Sequence, residues 1–249
     1  MAILLLFLIG LLLGSFYNVV ALSVPAQKPF ANRRSACPNC HKTLTPLELI
    51  PVASFLFQAG KCRGCRKPIS PIYPLIELAT GILFAAAPLL LGWTSELWTV
   101  WTLISLLMII FVTDIVYMLI PDTILLFFMA LFLVLHAILP LDPWWDPLLG
   151  LTAGFGILLL IGIISKGGMG GGDIKLFGVL GFALGTQTVL LALVLSIFYG
   201  AFFGLLGMAA GKIPQKSLIP FGPFIVLGTL TALFWGQDLL EWYLAFLTN

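Results

Sequence analysis

Met1-Ala-Ile-Leu-Leu-Leu-Phe-Leu-Ile-Gly-Leu-Leu-Leu-Gly-Ser-Phe-Tyr-Asn-Val-Val-Ala-Leu22 contains no charged side chain. A run of this length suffices for the ~20 helical residues that cross a hydrocarbon layer ~30 Å thick. It lacks the basic start of a cleavable secretory leader, and its positive charges follow it instead. Basic flanks stay on the cytoplasmic side, which predicts an outside N-terminus and a cytoplasmic loop over residues 23–72.

The rest of the chain has the same character. Of 249 residues, 61% are apolar and 9% are charged, against roughly 25% charged in a soluble domain. So few ionised groups cannot solvate a globular surface, which excludes a soluble enzyme, a nucleic-acid-binding domain and a disordered chain. Roughly 200 residues lie outside the 23–72 loop, room for about eight spans. The expected fold is an all-α polytopic membrane protein with about eight transmembrane helices. They are placed near 2–22, 73–92, 96–116, 122–140, 147–165, 173–185, 187–210 and 218–236. Residues 237–249, with Trp242 and Tyr243, read as an interfacial segment. The division expected is a first transmembrane helix over 1–22, a cytoplasmic loop over 23–72 and a membrane-embedded domain over 73–249. No internal repeat is evident.

Charge placement tests this layout. Eight of the twelve basic residues lie between Lys28 and Lys67, and the others are Lys166, Lys175, Lys212 and Lys216. With the N-terminus outside, every one falls in or beside a cytoplasmic segment, whereas Glu96, Asp142, Asp146, Asp238 and Glu241 fall outside. One misplaced span would scramble that separation.

All four cysteines are in the loop, as Cys37-Pro-Asn-Cys40 and Cys62-Arg-Gly-Cys65. Each C-x-x-C turn aims two sulfurs at one point, and two turns complete a tetrahedron suited to zinc. Two disulfides would require an oxidising compartment, and the charge pattern puts the loop in the reducing cytoplasm. Lys61, Arg63, Arg66 and Lys67 favour thiolates nearby. Four sulfurs close the coordination sphere, so the zinc is expected to be structural, with His41 a bystander. A loop this short and polar has little core, so removing the metal should unfold it.

Three aspartates stand at span ends on the cytoplasmic side: Asp114, Asp122 and Asp173. A carboxylate at membrane depth is costly and usually has a role. Asp122 follows Pro121 at a helix start, where the positive helix end explains it. Asp114 ends an apolar span, where the dipole disfavours an anion. Asp173 closes the run Gly167-Gly-Met-Gly-Gly-Gly-Asp173, so an N-cap role competes with a functional one. The preferred pair is Asp114 with Asp173, two carboxyls that share a proton and can hydrolyse an amide. The glycine run matches neither phosphate-binding pattern. Backbone bare at Gly170, Gly171 and Gly172 would let an extended substrate approach. Lys175 either holds an anion or anchors the interface, and Glu77 either pairs with a basic loop residue or contacts a ligand.

Taken together, these residues resemble the type IV prepilin peptidases, which are membrane aspartic proteases. The resemblance runs through Gly14-Ser-Phe-Tyr-Asn-Val-Val20, both C-x-x-C pairs, Ile50-Pro-Val-Ala-Ser54, Gly60-Lys-Cys62 and Ile69-Ser-Pro-Ile-Tyr-Pro-Leu-Ile-Glu77. It continues with Asp114, Pro121-Asp122, Gly170-x-Gly172-Asp173-x-Lys175-Leu176 and Ile219-Pro-Phe-Gly-Pro223. It implies that Asp114 and Asp173 are catalytic and that residues 73–249 form an aspartic peptidase domain. It also implies cleavage at the cytoplasmic face of the cell membrane, after the glycine of a short basic leader on prepilin or pseudopilin precursors. Such proteins serve type IV pilus, protein secretion or competence machinery. Many members then methylate the new N-terminus from S-adenosylmethionine, for which the chain shows no soluble-type fingerprint. Where many members continue with a Tyr-Arg-Leu-Pro-like run, this chain reads Ala21-Leu-Ser-Val-Pro25 and lacks the arginine. The rival readings are an ion- or proton-coupled transporter using Asp114 and Asp173 as a relay, and a membrane scaffold docking a partner through the loop. A transporter would be expected to show inverted repeats and midplane carboxylates, and neither is evident.

Overall fold

Among the described residues, eight helices of 14 residues or more stand near the eight expected spans, and a small cysteine-bearing loop follows the first. The structure, a computed structural model, describes residues 1–27, 35–166, 168–211 and 219–248. Lys28, Arg33, Arg34, Gly167, Lys212 and Lys216, which carry part of the charge and glycine argument, lie outside the described residues. The helices are α1 Ala2–Ser23, α2 Ala53–Phe57, α3 Ile72–Leu91, α4 Leu97–Tyr117, α5 Asp122–Ile138, α6 Asp146–Ile164, α7 Gly171–Leu184, α8 Thr186–Ala209 and α9 Gly222–Thr248.

Among the described residues, six of them (α1, α3, α4, α6, α8 and α9) are long and apolar enough to cross a bilayer. Helix α5 has 17 residues and α7 has 14, giving about 25 Å and 21 Å at ~1.5 Å per residue, short of the hydrocarbon thickness. The far end differs from expectation. Helix α9 runs unbroken from Gly222 to Thr248, through the expected boundary between the 218–236 span and the interfacial segment, because no proline interrupts the chain after Gly236 and a lone glycine does not break a helix. Large apolar side chains are exposed along the helices, among them Leu4, Leu8 and Leu12 on α1 and Phe127 and Leu133 on α5. Surfaces of this kind suit lipid. The chain is a membrane protein.

The chain divides into two compact units, Met1–Val112 and Thr113–Asn249. In the first, α1 lies against α3 with backbones touching. A Cβ on Gly10 would come 2.8 Å from Gly81 Cα, and one on Gly14 would come 2.8 Å from Glu77 Cα. Asn18 Nδ2 bonds the Tyr73 carbonyl at 3.2 Å. Each step along α1 thus matches an equal step back along α3, so the two run antiparallel. Small residues at such a seam replace the hydrophobic drive that lipid removes. Tyr17 and Ser105 hydroxyls meet at 2.5 Å, and Trp101 donates to the Phe84 carbonyl, tying α4 to both.

The second unit repeats the device. A Cβ on Gly150 would strike the backbone at Gly181, and one on Gly154 the Phe177 carbonyl, so α6 and α7 are also antiparallel. At the expected α7–α8 turn Gly185 has φ +79°, a left-handed conformation that favours glycine. The Asp146 carboxylate accepts the Thr186 N–H there at 3.1 and 3.2 Å, capping α8.

Candidate active site and metal centre

Asp114 sits in the last turn of α4, 6% exposed. Its Oδ2 accepts the Gly222 N–H at 2.7 Å. Gly222 opens α9, so the positive end of that helix faces a carboxylate that α4's own dipole disfavours. The approach requires glycine: a Cβ on Gly222 would lie 2.6 Å from Asp114 Oδ2 and 2.8 Å from its Cβ. The sequence offers one hint, the Gly222-Pro223 pair at a helix start, which carries no role until the fold brings it to Asp114.

Asp173 is half-buried and is the third residue of α7, whose N-cap is Gly170. Its carboxylate takes the Gly170 N–H and feels the charge of Asp114. The reach-back is half of a capping box; Asp173 is not the N-cap weighed from sequence, because the helix begins two residues earlier than expected and Gly170 holds that position. The structure thus brings Asp114 and Asp173 within electrostatic reach, each held by a glycine N–H at a helix start.

The glycine run has two internal reasons and one free position. A Cβ on Gly170 would lie 2.7 Å from Asp173 Oδ2, and one on Gly172 would lie 2.9 Å from Ile120 Cβ. Gly171 faces open space. Lys175 is taken by Asp122, with Nζ at 2.9 and 2.7 Å from its two carboxylate oxygens. Both side chains are more than half exposed. Asp122, at the helix start expected for it, therefore has a structural partner that sequence reasoning missed.

The loop in the first unit folds as two copies of one turn. Cys37 N–H bonds the Lys42 carbonyl and His41 N–H the Cys37 carbonyl; 25 positions on, Cys62 N–H bonds Lys67 and Arg66 N–H bonds Cys62. The flanking bridges, Ala36 with Thr43 and Lys61 with Pro68, keep the same offset. This duplication, too short and too divergent to read as a repeat, points the sulfurs of Cys37, Cys40, Cys62 and Cys65 inward. All four lie within 4.8 Å of one another. Cys37–Cys65 is 3.8 Å and Cys40–Cys62 is 3.9 Å, nearly twice the ~2.05 Å of a disulfide. The cluster can bind a metal ion, and His41 is not among its ligands. The N–H groups of Cys40 and Asn39 hold the Cys37 thiol down to about 6. Backbone donors, not the basic side chains expected, favour the thiolate. Lys67 instead reaches Asn39 and Lys42 reaches Glu48.

Among the described residues no basic loop side chain pairs with Glu77. Its Oε2 accepts the Val52 N–H at 2.7 Å, and Ser15 bonds it as well. Val52 has φ +59°, a strained value for a β-branched residue, and its N–H lies just ahead of α2.

The chain is similar to known proteins along most of its length. Residues 8–91 match the bacterial Peptidase A24 N-terminal domain, and residues 101–205 match the type IV leader peptidase family. A Bacillus subtilis (strain 168) protein named prepilin leader peptidase/N-methyltransferase is 45% identical over 96% of each chain. Proteins of that name from Aeromonas hydrophila and Pseudomonas aeruginosa are 36% and 31% identical over 96% of this chain, covering 93% and 92% of their own lengths. No solved structure matches the chain. A two-part family match along the chain, and relatives aligned over nearly its whole length, make it a member of the type IV leader peptidase family.

Proposed function

We propose that the chain is a membrane aspartic endopeptidase that removes the short basic leader of prepilins or pseudopilins at the cytoplasmic face, with Asp114 and Asp173 as its catalytic pair. The observation that carries this reading is the convergence of those two carboxyls at helix ends, each fixed by a glycine N–H, with Asp173 sensing the charge of Asp114. The names of the relatives support the same chemistry. The ionised member takes a proton from water while the water oxygen attacks the scissile carbonyl carbon. The protonated member gives its proton to the carbonyl oxygen. When the tetrahedral intermediate collapses, that proton returns to its donor and the other passes to the leaving amine, restoring the pair. Gly171, open on one side, gives the extended leader a place to approach beside Asp173. The transporter reading has no support among the relatives.

The relatives' names also support a second step, N-methylation of the new N-terminus, for which S-adenosylmethionine would supply the methyl group. The metal of the cysteine cluster is read as zinc. A tetrahedron with ~2.3 Å zinc–sulfur bonds has edges of about 3.8 Å, close to the Cys37–Cys65 and Cys40–Cys62 separations. Four thiolates leave no position for a reacting water, so its role is to hold the loop. The distribution of basic residues supports a cytoplasmic side for that loop and the dyad, with the N-terminus outside.

Cleavage of a prepilin by the purified chain, compared with Asp114→Asn and Asp173→Asn, tests the assignment. Either substitution should cost about a thousandfold, within the range for losing a positioned acid–base group. Asp122→Asn should keep substantial activity, because Asp122 is engaged by Lys175. Retained cleavage in either of the first two variants would remove the assigned pair.

A further inference from the structure

The first unit holds a cavity that proteolysis does not use. It has a volume of about 350 Å³, within the ~300–1,000 Å³ of small-ligand sites. Its walls are the second half of α1, the start of α3 and the cysteine loop. Val19, Leu22 and Leu49 make it mainly apolar, and Phe55 and Tyr73 bring aromatic rings to it.

Two oxygens set its chemistry. Asn18 is 3% exposed and lines the cavity. Its Nδ2 donates to the Tyr73 carbonyl, which fixes the amide's orientation, since turning it over would set two acceptors together. Its Oδ1 is then left buried with no partner, a costly state for an acceptor. Glu77, one turn further along α3, lines the same cavity and is 9% exposed. Val52 and Ser15 donate to its carboxylate, but no lysine or arginine among the described residues pairs with it. A buried acceptor without a donor, and a carboxylate without a cation among the described residues, call for a ligand with N–H groups and positive charge. Apolar walls and two aromatic rings suit a flat base on the same ligand.

We propose that this cavity is the S-adenosylmethionine site, with Asn18 Oδ1 and the Glu77 carboxylate receiving the cofactor's donor and cationic groups. The assignment rests on the methyl-transfer reading given above. It also gives the cysteine cluster a purpose away from hydrolysis. Cys37 and Cys62 lie in the cavity wall, so the metal shapes one side of the site.

The test uses the full chain in lipid nanodiscs and radiolabelled S-adenosylmethionine, read by equilibrium dialysis. Wild type should bind saturably. Asn18→Leu, which keeps the volume and removes the acceptor, should weaken binding at least tenfold, and Leu49→Trp, which fills the cavity, should abolish it. Ultraviolet labelling of the unmutated chain with the same ligand guards against misfolded variants, and the label should map within residues 15–77. If wild type binds none, the methyl-transfer reading falls and takes this proposal with it. If wild type binds and both variants bind equally well, or the label maps to residues 113–248, the cavity assignment alone is overturned.

Discussion

Replacing Gly222 by alanine should disable hydrolysis without touching either aspartate. The added Cβ would stand 2.6 Å from Asp114 Oδ2, 2.8 Å from its Cβ and 2.9 Å from its Cγ, where carbon contacts normally begin near ~3.5 Å. Either the Asp114 side chain or the start of α9 must retreat by close to ~1 Å, and displacement of that size costs about a hundredfold in rate. The 2.7 Å bond from the Gly222 N–H is lost or lengthened as well. A hydrogen bond to a charged group contributes about 1.5–3 kcal/mol, or roughly 10- to 150-fold at ~1.4 kcal/mol per decade. Both routes give a loss near a hundredfold in kcat. Gly156→Ala in α6 is the control, since its Cβ meets nothing within 4 Å. It should leave cleavage unchanged and stabilise α6 by up to ~1 kcal/mol. Single-turnover cleavage of prepilin, with thermal unfolding of each variant in parallel, reads both effects. A Gly222→Ala enzyme that unfolds at the wild-type temperature and cleaves within about threefold of wild type would refute the reasoning, because that change is under ~1 kcal/mol.

Two further outcomes concern the loop. Elemental analysis should find about one zinc per chain, and none after Cys37→Ser with Cys40→Ser; chelation should release loop amides to exchange while the helices stay protected, and protected loop amides after complete metal removal would contradict the structural role. Glu48, held by the Thr45 N–H and the Lys42 ammonium, has its carboxyl pulled from the usual 4.5 to about 2. A depressed folded value means its contribution is full above pH 4.5 and disappears as pH falls toward 2. Carbon-13 titration of that carboxyl should show the low midpoint in wild type and one raised part of the way toward the ordinary value after Lys42→Ala with Thr45→Ala, because the Thr45 backbone N–H stays in place; an ordinary midpoint in wild type would contradict the bonding described.

The helices were readable because lipid imposes long uncharged runs, and charges marked their ends within a few residues. Asp114 stood out by the same logic, as an anion at the wrong end of an apolar span. What the sequence hid was every relation across distance. Nothing near Asp122 announces Lys175, 53 positions away, and nothing near Asp114 announces Gly222, 108 positions away. The end of α9 was misread for a different reason. Aromatic and acidic residues such as Asp238, Glu241 and Trp242 mark a membrane interface, but they do not stop a helix, and only backbone geometry distinguishes the two.

The two proposed catalytic carboxyls solve one problem in the same way. A carboxylate at membrane depth needs donors, and a basic partner would hold it permanently ionised, which a proton-sharing pair cannot tolerate. Backbone N–H groups at a helix start offer partial positive charge without a titratable cation. Reaching one at bonding distance requires that no Cβ intervene, and both donors are glycines whose Cβ positions are taken by the very carboxylates they serve. Lys175 makes the same point from the other side: two residues beyond Asp173 in sequence, it is engaged by Asp122. Asp122 then acts on the pair only by keeping a positive charge at a distance, so Asp122→Ala should alter the pH dependence of cleavage more than its maximum rate. A pH–rate profile checks this, and an unchanged profile with a collapsed maximum would place Asp122 in the chemistry instead.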